Sequence, residues 1–178
     1  MRIVSMEKGD NVKRIIERFA KATSTIQECL KKEGYDFMHN DHLGWILTCP
    51  SNLGTGLRAG AMVKVPHVSS RKDFKALLGR MGLQARGTAG VDSASTGGTW
   101  DISNADRLGK SEIELVNIFI EGVAQIIRWE QALEQGKNVD AEIAAAGLPK
   151  TVTIEVSKKL KLLLTKNDLR FHSPQPVT

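Results

Sequence analysis

The chain has 178 residues, 41% of them hydrophobic and 25% charged, the make-up of an ordinary soluble globular protein with one domain, or one domain and an appendage. No run approaches eighteen apolar residues and Met1–Glu7 lacks an apolar core, so neither a membrane-spanning helix nor a secretory leader is expected. The net charge of +5 sits at the end: from Lys150 onward six basic residues stand against two acidic ones, while residues 1–149 hold 19 basic and 18 acidic side chains, a near-neutral body that argues against nucleic acid as a partner.

In chain order, residues 2–7 alternate enough for a short strand. From Val12 the apolar positions Ile15, Ile16, Phe19, Ile26 and Leu30 form a helical stripe, with Asp10 as cap and Gly34 as stop. Tyr35–Met38 and Trp45–Cys49 read as paired strands around the polar turn His39-Asn40-Asp41-His42. Leu57–Val65 reads as a third strand ended by Pro66, and Ser70, with Asp73 three residues on, as the start of a short helix to about Gly79. Leu83–Gly87 and Thr99–Ser103 read as strands flanking a glycine-rich loop. Ser111 with Glu114 is a capping-box pattern that opens a helix through Phe119, Ile126 and Leu133, stopped by Gly136. Helices interleaved with hairpin-connected strands predict an α+β fold, helices packed on a largely antiparallel sheet. Past Ala144 the character changes: Ala144–Pro149 reads as a linker, and Thr151–Thr178 as a marginal or disordered tail. Its Lys158–Leu164 stretch could instead form a basic amphipathic helix that touches a membrane or a partner.

Two cysteines, Cys29 and Cys49, have neither metal spacing nor a disulfide framework, which points to a reducing, cytoplasmic setting. Cys29 reads as packing on its helix. Cys49 lies between Thr48 and Ser51, whose hydroxyls can stabilise a thiolate. Arg58 follows nine residues later, and arginine is the side chain best suited to grip a phosphate. Among nucleotide signatures, no P-loop pattern is present, and Gly54-Thr55-Gly56-Leu57-Arg58-Ala59-Gly60 misses the dinucleotide fingerprint by one residue while leading into a strand-like run.

The stretch Cys49-Pro50-Ser51-Asn52-Leu53-Gly54-Thr55 resembles the active-site signature of the phosphagen (guanidino) kinases, which move phosphate between ATP and a guanidine such as creatine. Arg2–Gly9, Gly44–Thr48, Leu83–Thr88 and Trp100–Asn104 are similar to the same family's catalytic domain, in the same order. Ser51, Gly56, Ala59-Gly60, Ala105–Gly109 and Leu133–Gly136 lean towards its creatine kinase branch. The resemblance covers residues 1–143 and leaves 144–178 as a linker and basic tail unlike the family. It implies the glutamine-synthetase/guanidino-kinase type of α+β domain, in partial form.

The resemblance also implies roles. Arg2, Arg58 and Arg86 match family arginines that bind the ATP phosphates. The Arg86-Gly87-Thr88-Ala89-Gly90-Val91 stretch matches the nucleotide loop, where glycines let backbone N–H groups turn towards an anion. Asp101 matches a carboxylate near the nucleotide and magnesium. Cys49, with Ser51, would orient the guanidine without itself being phosphorylated. Mg2+ would arrive as MgATP or MgADP rather than in a dedicated protein site. The family expects an Asn-Glu-Glu-Asp box upstream of Arg2 and a histidine at position 62; this chain starts at Met1 and has Met62. It therefore reads as the C-terminal half of a creatine-kinase-like enzyme with ATP/ADP and a guanidine as ligands. A missing N-terminal half or a homo-oligomer would be its partner. The isolated chain is expected to bind nucleotide weakly and to turn over little. The alternative is a non-catalytic nucleotide-binding or interaction module on the same fold. A mitochondrial location is left open.

Overall fold

The computed structural model describes residues 1–87 and 97–147. Its centre is a three-stranded antiparallel sheet in the order β3 (Gly60–Lys64), β5 (Thr99–Asn104), β4 (Leu83–Arg86). The register sets Met62 opposite Asp101, Ala61 and Ala85 opposite Ile102, and Arg86 opposite Asp101. Because side chains alternate along a strand, this pairing sorts the sheet into two faces. One carries Val63, Ile102 and Leu83 into the core; the other carries Met62, Asp101 and Arg86 outward.

Helices cover the apolar face. The capping box forms as expected: Ser111 Oγ accepts from the Glu114 backbone N–H and the Glu114 carboxylate accepts from the Ser111 N–H, opening α4 (Glu112–Glu134). Its buried Phe119, Ile126 and Trp129 share one core cluster with α3 (Phe74–Arg80), whose Leu77 and Leu78 are fully buried. At about 1.5–3 kcal/mol for each large side chain buried, this layer, rather than the polar face, holds the sheet.

α1 (Val12–Lys32) spans the expected stripe but buries only Ala20 and Ser24, and meets α4 through a small cluster of Ile16, Ala20 and Ile113. Its cap is Asn11, whose side chain accepts from the Arg14 N–H, instead of Asp10. Residues 2–7 form no strand. Ser5, Met6 and Glu7 bind the helix instead, with Ser5 Oγ donating to Ile15 O and Arg18 donating to Met6 O and pairing with Glu7.

The first hairpin exists, but its strands are two residues each, β1 (His39–Asn40) and β2 (Gly44–Trp45). Asn40 Oδ1 accepts from the N–H groups of His42 and Leu43 and closes a turn at Asp41–Leu43, so His39 and Asn40 belong to the strand instead of the turn, and neither Tyr35–Met38 nor Ile46–Cys49 is a strand. Pro66 does end a strand, yet it also starts a four-residue helix, α2 (Pro66–Ser69), as proline suits a first helical position. That displaces α3, whose N-cap position is Asp73; Ser70 Oγ is spent on His67 O. A further helix, α5 (Asp140–Ala145), went unpredicted; it drives Ile143 into the core at 1% exposure. The core thus reaches the edge of the expected domain at residue 143. The tail beyond Gly147 lies outside the described residues.

Candidate functional site

The outward face of the sheet gathers charge. Arg58, just before β3, donates from Nη2 to Asp101 Oδ2 at 2.7 Å, with 33% and 29% of the two side chains exposed. Arg86 stands across the strand pair from the same aspartate, and its Nε is buried with no hydrogen-bond partner among the described residues. A buried unpaired donor on a guanidinium costs about 1–3 kcal/mol or more, so this atom is poised for an acceptor that arrives from outside. Arg107 joins the group. Burial first, then Arg86, then Arg58 hold its guanidinium below its ordinary pKa, against an opposing pull from Asp106. With Arg58 and Arg86 flanking Asp101 and Arg107 within electrostatic reach of both arginines, the group favours a multiply charged anion.

Asn104 places two of them. Fully buried at the end of β5, it accepts from the Ala59 N–H at 2.8 Å and donates from Nδ2 to Leu57 O at 3.1 Å and Asp106 O at 2.7 Å. The backbone on both sides of Arg58 and immediately before Arg107 is therefore tied to one side chain. Neither Asn104 nor Arg107 was singled out from sequence, although both lie in the family-like stretches; the signal was an asparagine at a strand end followed by arginine three residues later.

Cys49 lies on a separate loop, in extended backbone ahead of the 3-10 turn Pro50–Asn52. Its Sγ is 3.0 Å from Ser51 Oγ, and the Ser51 hydroxyl, then the Ser51 backbone, lower the thiol's pKa. The loop is fastened to the arginine cluster through Gly54 and Thr55. The Thr55 N–H donates to Arg107 O at 2.9 Å, and Gly54, at φ +98°, passes so close that a Cβ there would fall 2.2 Å from Arg107 O. Gly54 also binds the hairpin, accepting from the Trp45 N–H and donating to Leu43 O. Beside that hairpin, burial raises the Glu112 carboxyl to about 7, opposed by its own helix-terminal backbone N–H and by Trp45.

The structure thus brings Arg58, Arg86 and Asp101 together, adds Arg107, and hitches the Cys49–Ser51 loop to them. Gly87 is buried at the end of β4. Thr88, Ala89, Gly90 and Val91 lie outside the described residues. Arg2 is exposed, and among the described residues no hydrogen bond or ion pair joins it to the cluster. Met62, where the family resemblance expects histidine, is 59% exposed on the same face, opposite Asp101.

The family model of the ATP:guanido phosphotransferase C-terminal catalytic domain matches residues 1–133. The testis creatine kinase of Oncorhynchus mykiss is 51% identical over 140 residues, covering 79% of this chain and 37% of that protein. The M-type creatine kinase of Oryctolagus cuniculus is 50% identical over 145 residues, covering 82% and 38%. Among solved structures, a lombricine kinase superposes with a TM-score of 0.73 at 45% identity, over 79% of this chain and 38% of that one. The substrate-free duplicated taurocyamine kinase of Schistosoma mansoni superposes at 0.62 and 39% identity, over 72% and 18%. The chain spans just over a third of the length of the testis and M-type creatine kinases it matches.

Proposed function

The chain belongs to the ATP:guanido phosphotransferase family, and on that premise we propose that residues 1–143 carry the nucleotide-phosphate half of a reversible phosphoryl transfer from MgATP to a guanidine, with creatine as the acceptor. In that reaction a guanidine nitrogen forms a bond to the γ-phosphorus, the bond from that phosphorus to the bridging oxygen of ADP breaks, and the nitrogen gives up a proton. Little covalent chemistry falls to the protein; it must hold the phosphates in line and neutralise charge on their oxygens.

Arg58, Arg86 and Arg107 are assigned to the phosphate oxygens, with Arg2 and the Gly87–Val91 backbone as further contacts. The observation that carries the reading is the buried Nε of Arg86, without a partner among the described residues, in a group where Arg107 feels both Arg86 and Arg58. Asp101 keeps Arg58 aimed and offers a carboxylate to the solvent shell of the magnesium, which enters with the nucleotide as part of the substrate. Cys49 and Ser51 are assigned to the guanidine: a thiolate favours a cation beside it and turns the attacking nitrogen towards phosphorus. Creatine rests on the roughly 50% identity to creatine kinases, while lombricine and taurocyamine kinases bind the assignment more broadly to guanidines.

Calorimetric titration of the folded chain with MgADP tests the clamp, alongside a coupled assay for phosphocreatine. Binding in the micromolar to millimolar range, weakened in Arg86→Ala, is expected. No heat at millimolar MgADP on demonstrably folded protein would remove the assignment.

A further inference from the structure

Where α2 meets α4, a histidine and two glutamates come together that the phosphate site does not use. His67, Glu130 and Glu134 each offer a ligand atom, and these atoms lie within 4.8 Å of one another. We propose that they form a binding site for a borderline divalent cation such as Zn2+ or Co2+, which would strap α2 to the C-terminal half of α4.

The donor set fits that class. One imidazole with two carboxylates is a mixed N/O set found around zinc and its neighbours, whereas Mg2+ and Ca2+ prefer oxygen alone. Glu130 is the fixed member. It is 4% exposed, and its Oε1 accepts from the His67 N–H and lies 2.8 Å from His67 Nδ1, while Oε2 accepts from the Val68 N–H at 2.8 Å. Each carboxylate oxygen has two lone pairs, so Oε2 retains one for a cation. Glu134, one turn later on the same helix, and the ring of His67 are both exposed and can close the remaining distance by rotamer change. The neutral imidazole always keeps one unprotonated nitrogen. Two carboxylates at i and i+4 repel each other, and a cation between them reverses the sign of that interaction. With three protein ligands, the fourth position falls to water.

The strap would act on a joint of the fold. Directly before α2, the Val65 N–H donates to Gly98 O at 2.9 Å, which ties the returning end of the Arg86–Thr99 connection to this turn. A metal holding His67 to Glu130 would therefore stiffen the anchor of that connection.

Co2+ titration of the full chain, followed by the imidazole NMR signals, tests the site once the two exposed thiols are blocked with iodoacetamide. Paramagnetic broadening should reach His67 before His39, His42 and His172, and Zn2+ should displace the Co2+. His67→Gln and Glu134→Gln alter exposed side chains and should leave the far-UV spectrum unchanged while weakening the affinity by about tenfold or more. Broadening that begins at another histidine, affinity unchanged in both variants, or no binding at millimolar Co2+ would each overturn the proposal.

Discussion

Asp101 accepts a hydrogen bond from Arg58 at 2.7 Å across 43 residues of sequence, and that pair lies on the sheet face turned away from the core. An exposed pair of this kind contributes only about 0–1 kcal/mol to stability. Its value is positional: it fixes a guanidinium beside Arg86 and Arg107, where like charges would otherwise push it away.

Binding and stability should therefore separate in this cluster. Arg58→Ala, Arg86→Ala and Arg107→Ala are each expected to lose a charge-assisted contact worth roughly 1.5–3 kcal/mol, about ten- to a hundredfold in MgADP affinity. Thermal midpoints should move little for Arg58→Ala. Calorimetry and melting curves on the same samples check this; MgADP affinity unchanged from the parent chain in all three variants would mean that the phosphates bind elsewhere.

Asn104→Ala should behave in the opposite way. It strips partners from the Ala59 N–H and from the carbonyls of Leu57 and Asp106, and each buried group left unpaired costs about 1–3 kcal/mol. Urea midpoints should fall by several times the change seen in Arg58→Ala, and MgADP affinity should fall as well because both arginines lose their backbone anchor. Asn104→Asp keeps the acceptor alone and should lie between the two.

For the thiols, Cys49 should alkylate faster than Cys29 near neutral pH, because its thiolate forms at lower pH than an ordinary thiol does. The leading cause is the Ser51 hydroxyl, so Ser51→Ala should shift the rate–pH midpoint of Cys49 upward. Peptide mapping after timed iodoacetamide treatment reads both effects; labelling of Cys29 first would contradict the assignment.

These expectations show which parts of the fold were legible in sequence. α4 and the strands β3, β4 and β5 could be read because a capping box and apolar patterning coincide there with burial, whereas the order that pairs β3 with β5 could not. α2 and α5 were not legible, since four and six residues are too short for a period to emerge, and tertiary contacts of Val68 and Ile143 hold them. Residues 2–7 alternate like a strand but lie along α1, a pattern that pairing overrides. Arg58, Arg86 and Asp101 emerged from family-like motifs. Arg107 did not, because its membership depends on a β5 turn that brings it back to the other two arginines.

Glu112 gives the chain a pH signature. Its folded-state pKa of about 7 lies above the ordinary 4.5, so between those values the folded state binds more protons than the unfolded one. The corresponding stability is fully present below about pH 4.5 and is lost as pH rises through 7. Melting temperature should therefore decline across that window, and Glu112→Gln, which cannot ionise, should flatten the decline. A slope unchanged in Glu112→Gln would place the titrating group elsewhere.

Gly54→Ala should be the most disruptive small change in the site. The residue sits at φ +98°, where a Cβ is strained, and that Cβ would lie 2.2 Å from Arg107 O and 2.8 Å from Leu108 Cα. Backbone cannot yield as a flexible side chain can, so the loop must lift away. Three backbone hydrogen bonds are at stake: Thr55 N–H to Arg107 O, Trp45 N–H to Gly54 O and Gly54 N–H to Leu43 O. The strain alone costs about 1–3 kcal/mol, and the released Arg107 segment should weaken MgADP binding even though alanine adds no charge. The Cys49–Ser51 contact is local to the loop, so the thiol should remain reactive. Low MgADP affinity combined with normal Cys49 alkylation would show that Gly54 joins the two halves of the site without building either; unchanged MgADP affinity in a folded Gly54→Ala would show that the loop and the arginines are independent.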